Sequence, residues 1–100
     1  MYSKERIYEI FKLGKLYKVI SKQAFNKNED SLLNCYMILT NIEIIEFSNP
    51  KYGISSDSVR CTFLLGKNVY VTFFSVDEKT EQLSYIRHAK NFNEFFEIIL

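Results

Sequence analysis

Between Val59 and Phe74 the chain alternates almost without interruption. Val59, Cys61, Phe63 and Leu65 stand against Arg60, Thr62 and Leu64; Gly66-Lys67-Asn68 follows; then Val69, Val71 and Phe73 stand against Tyr70, Thr72 and Phe74. A period of two broken by a glycine-bearing turn specifies a β-hairpin. Two strands alone are marginal in water, so the rest of the chain has to supply further strands and a cover for the apolar face.

The strands are supplied upstream. In residues 32–47, Cys35, Met37 and Leu39 alternate with Tyr36 and Ile38, and Ile42-Glu43-Ile44-Ile45-Glu46-Phe47 follows Thr40-Asn41. Apolar groups on both faces predict a central strand covered on two sides, with Asn41 marking a bulge or turn. Residues 15–25 fit a helical stripe (Leu16, Tyr17, Ile20, Ala24) or a strand paired with 32–39. The strand is favoured, with Lys15, Lys18 and Lys22 guarding an exposed edge. The polar run 48–58 reads as the longest connection, and Leu83, Tyr85 and Arg87 alternating with Ser84, Ile86 and His88 read as a last strand at 82–88. A helix from Asp77 is the alternative there.

The cover is expected from both chain ends. Ser3 can cap a helix over 4–13, in which Ile7, Ile10 and Phe11 share a face and Gly14 ends the run. Near the C-terminus, Asn91 with Glu94 three residues on resembles a capping box, and Phe92, Phe95, Phe96 and Ile99 recur at helical spacing. The expected fold is therefore α+β: one domain over 1–100, an antiparallel sheet of four to five strands, and an N-terminal and a C-terminal helix packed on it. Polar connections this short favour antiparallel neighbours.

A chain of 100 residues with 47% apolar and 25% charged residues is long enough for one core. Ile, Phe, Lys, Asn and Tyr make up 45 of the 100 residues. That skew points to an A+T-rich bacterial or phage gene and weakens any argument from a single lysine or tyrosine. Cys35 and Cys61 both lie in apolar runs, and the N-terminus turns charged at once, so both are expected reduced, in a cytoplasmic protein. No apolar stretch is long enough to span a bilayer.

Catalytic chemistry is poorly provided for. His88 is the one histidine, so triads, dyads and most zinc sites lack their central group. Glu43 and Glu46 fall on opposite faces of a strand, and Glu94 and Glu97 are ordinary solvated charges. The three glycines do not form a phosphate-binding frame. The expectation is a non-enzyme with no metal and no cofactor.

Charge is segregated. Residues 1–27 carry seven Lys/Arg against two Glu, residues 28–50 carry four acids and no base, and residues 51–100 carry six of each. A basic segment with Tyr17 and Phe25 could stack on nucleic acid, but the net charge is only +1 and lysine outnumbers arginine. A protein partner is therefore the favoured expectation, nucleic acid the lesser one, and a homo-oligomer stays open. The expected contact residues are Lys51, Tyr52 and Ile54 of the 48–58 connection and Lys15, Lys18 and Lys22.

The run Ser84-Tyr85-Ile86-Arg87-His88-Ala89-Lys90-Asn91-Phe92-Asn93-Glu94-Phe95-Phe96 resembles the strand-then-helix ending of several bacterial immunity-protein families. The Leu-Pro and Asn-Gly pairs near the N-terminus of one such group are absent. Small size, the lack of catalytic residues, the A+T-rich skew and the segregated charge lead to the expectation of a small protein that binds and blocks another macromolecule, an inhibitor, toxin-immunity or phage counter-defence type. The alternative is a ligand-binding or sensory module with a pocket between sheet and helices, lined by Tyr36, Phe74 and Tyr85.

Overall fold

The computed structural model describes residues 3–25, 30–49, 54–78, 81 and 87–99. Helix α1 spans Lys4–Ile10, and the strands are β1 (Leu16–Val19), β2 (Tyr36–Asn49), β3 (Ile54–Leu65), β4 (Asn68–Ser75) and β5 (Phe96–Ile99). Short 3-10 turns lie at Asp30–Leu32 and Ala89–Glu94. The strands form one sheet in the order β4-β3-β2-β1-β5, with every strand pair antiparallel.

Ser3 caps α1 as expected, its Oγ accepting the Arg6 N–H at 3.2 Å. The helix ends one turn early. Phe11 adopts an extended conformation (φ −102°, ψ 100°), which sends its ring into the core against Phe92, 4.6 Å away. Gly14 then takes φ +81° and donates its N–H to the Leu39 carbonyl at 2.7 Å. Residues 16–19 do form a strand paired with β2. It is not an edge, because β5 pairs along its other side.

The C-terminal α-helix is not formed. His88, not Asn91, caps the turn at Ala89–Glu94, its side chain accepting the Lys90 N–H. Phe96 to Ile99 then run as a strand against β1. The spacing of Phe92, Phe95 and Phe96 suits this arrangement as well: Phe92 and Phe96 are fully buried, and Phe95, in αR conformation at the end of the turn, packs partly against the core. A free backbone edge on β1 outweighs local helical preference. The expected strand at 82–88 lies mostly outside the described residues. Its last residue, His88, bridges Ser75 in parallel.

Two strands are longer than the alternation suggests. β2 reaches Asn49 and β3 begins at Ile54, so most of the expected 48–58 connection is paired sheet. The break at Asn41 is a β-bulge: Leu39 faces Phe63 and Asn41 faces Thr62, leaving Thr40 as the extra residue. Such a bulge reverses which parity faces inward and increases strand twist and bend.

One core sits against the inner face, built mainly from rings. Phe63 on β3 stacks on Phe96 of β5, and Phe74 on β4 lies 6.4 Å from Phe96. In a flat sheet β4 and β5 would stand about 19 Å apart, four spacings of ~4.8 Å. Ring contacts between them require the sheet to curl around the core. β2 is central, but it is covered on the inner side only.

Candidate interaction surface

The outward side of the sheet departs from the usual pattern. Tyr17 and Val19 are buried, so Leu16 and Lys18 face out; the same alternation turns Ile38 and Leu64 outward beside buried Met37, Leu39 and Phe63. Register then joins them. Ile99 is opposite Leu16, Leu16 opposite Ile38, Ile38 opposite Leu64, and Leu64 opposite Val69. This is an aliphatic row crossing all five strands. Ile38, Leu64 and Val69 are 43%, 37% and 61% exposed.

Exposed Tyr36, Val71 and Phe73 widen the row. Together these side chains offer roughly 500 Å² of apolar surface, toward the upper end of what a monomer ordinarily shows. The flanks are close to neutral: Lys18 is opposite Glu97, and Arg60 forms an ion pair with Glu43.

The expected contact residues do not assemble into one surface. Lys15 is exposed in the turn before β1, its carbonyl accepting the Leu39 N–H at 3.1 Å. Lys18 lies on the outer face beside the aliphatic row. Lys22 sits in the following turn, 3.3 Å from Asp30 in an ion pair. Ile54 begins β3 opposite Asn49, while Lys51 and Tyr52 lie outside the described residues. Tyr36 and Phe74 share no pocket: Tyr36 is exposed on the outer face and Phe74 is buried on the inner one. Tyr85 lies outside the described residues.

His88 is fully buried. Its Nδ1 accepts the Lys90 N–H at 3.1 Å, so the proton sits on Nε2, which faces the Asp77 carbonyl at 3.2 Å. Burial pushes its pKa below the ordinary histidine value; the Asp77 bond and Glu81 oppose that, and Lys90 and Arg6 reinforce it. Both cysteines are free thiols, Cys61 buried and Cys35 half-buried. Among the described residues no group of three His, Cys, Asp or Glu side chains could hold a metal ion.

Arg87, in the sequence only a position in the expected strand 82–88, is central to the inner side. Its guanidinium lies between the Phe74 and Phe95 rings, 4.4 and 4.7 Å from their centroids. Nη2 donates to the Ala24 carbonyl at 2.6 Å, which also accepts from Thr72 Oγ1 at 2.7 Å. Burial lowers its pKa to about 10. The residue ties the turn after β1 to β4 and the C-terminal turn.

No signal in the local pattern marked the aliphatic row. Apolar residues of both parities in 36–39 read equally well as a strand covered on both sides. No protein-family profile, no curated protein and no solved structure matches this chain. Among the described residues no helix is long and apolar enough to cross a membrane.

Proposed function

We propose that this protein is a non-enzymatic binder that docks a protein partner on the outer face of its sheet and occludes that partner's own surface, in the manner of an inhibitor or immunity protein. The observation that carries the reading is the aliphatic row Ile99, Leu16, Ile38, Leu64 and Val69. Antiparallel sheets that leave one face to water normally turn polar residues outward. An apolar face of roughly 500 Å² with a polar rim matches the centre of a standard interface, which buries about 800 Å² per partner.

The neutral flanks favour protein over nucleic acid, whose backbone demands clustered cations. The environment of His88 supports the non-enzymatic part: both ring nitrogens are engaged with the backbone and the side chain is buried, so it has no open path to a substrate.

The test is co-purification from the native host with wild-type protein and with the double variant Ile38→Asp, Leu64→Asp. Both positions are already exposed, so the fold should persist by circular dichroism. The reading requires a stoichiometric partner that the double variant loses. A partner retained at wild-type affinity would place the interface elsewhere.

A further inference from the structure

A second feature lies away from the outer face. Between α1, the turn at Ala89–Glu94 and β5 there is a half-open cleft of about 390 Å³. That volume falls within the range of small-molecule sites. The geometry points to a binding site for a small organic anion, a carboxylate or phosphate carried on an apolar body.

Three observations converge. Cations dominate the lining: Arg6, Lys12 and Lys90 against the single acid Glu9. Lys90 also holds Glu81 at 3.7 Å from outside the cleft, whereas the Lys12 ammonium has no ion-pair partner among the described residues. The same lining includes Ile10 and Ile98, a surface for the apolar body.

The third observation is Tyr17. It is 1% exposed yet lines the cleft. Its hydroxyl oxygen accepts the Lys12 N–H at 2.9 Å, and the hydroxyl's own proton has no acceptor among the described residues. A buried O–H donor lacking an acceptor is costly. Beside Lys12 and the other lining cations it adds a hydroxyl donor to an anion receptor. The partly desolvated setting strengthens both interactions relative to water.

The inference is independent of the sheet-face reading, since the two sites share no side chain. It is tested on the full-length 15N-labelled protein with phenyl phosphate, benzoate, inorganic phosphate and benzylamine as probes. Phenyl phosphate or benzoate should produce saturable shifts of the Ile10, Lys12 and Lys90 amides, and should bind about tenfold more tightly than inorganic phosphate. Lys12→Glu, an exposed substitution that spares the core, should weaken binding about tenfold, and Tyr17→Phe should weaken it at unchanged secondary structure. Should Tyr17→Phe fail to fold, Lys12→Glu decides alone. The proposal is overturned if the organic anions give no saturable shift up to about 10 mM, if benzylamine binds equally well, if inorganic phosphate matches the organic anions, or if Lys12→Glu leaves affinity unchanged.

Discussion

The rings of Phe63 and Phe96 stack with centroids 4.5 Å apart and planes 11° from parallel, although β2 and β1 lie between their strands. In a flat sheet those two strands would be about 14 Å apart. The stack is therefore a measure of how far the sheet curls, and it joins the last strand of the chain to the hairpin. Phe25 meets both rings edge-on, at 5.9 and 5.4 Å, so the turn after β1 is held by the same cluster.

Phe96→Ala should cost about 3–5 kcal/mol in urea unfolding, the usual range for emptying a buried aromatic site. Amide exchange of Lys18 and Ile20, on the side of β1 from which the Ile20 N–H donates to the Phe95 carbonyl at 3.0 Å, should accelerate in the variant, because β5 docks through that side chain. Unchanged protection in β1 would mean that β5 is held by backbone pairing alone.

The thiols should separate kinetically. Burial pushes the Cys61 thiol well above its ordinary range, a rise only partly offset by nearby Arg87, so little thiolate forms and access is poor. Cys35 is half-buried, with its Sγ 3.6 Å from the Ser31 carbonyl. Native protein should react with an aromatic disulfide first at Cys35 and much more slowly at Cys61; in denaturant both should react rapidly. Peptide mapping of the first modified product checks the order.

Acid should weaken the fold through His88. Its folded pKa lies below the unfolded value of 6.5, chiefly because burial disfavours the charged ring. Above pH 6.5 the ring is neutral in both states and the native state keeps its full advantage. As pH falls below 6.5 the unfolded chain binds the proton first, so stability declines until the folded pKa is reached. Protonation also turns Nδ1 from acceptor to donor against the Lys90 N–H. Denaturant midpoints at pH 7.5 and pH 5 should show the loss, and His88→Asn, which keeps a capping acceptor, should remove most of the pH dependence contributed by this residue.

The β3–β4 turn should be sensitive at one position. Gly66 has φ +59°, and Leu65 is opposite Asn68, leaving two central residues. Nothing lies within 4 Å of an added Cβ, so Gly66→Ala should cost only the left-handed backbone strain, about 1 kcal/mol, with Asn cheaper. Thermal melts of both variants check this. A loss well beyond that would show that the turn also carries tertiary contacts.

Several features were legible in the residues alone, and each is local. Ser3 caps α1 because an N-cap needs only its own side chain and the next turn. The hairpin of β3 and β4 follows from alternation around Gly66, and the register break at Asn41 is visible where the parity of apolar residues slips. The tertiary structure decided what depended on a distant partner. Phe92, Phe95, Phe96 and Ile99 carry helical spacing, but β1 offers unpaired backbone groups to residues 96–99, and a strand there also seats Phe96 on Phe63. The outer aliphatic row was hidden for the same reason. Ile99, Leu16, Ile38, Leu64 and Val69 are scattered along the sequence and become neighbours only through four strand registers, which no single segment encodes.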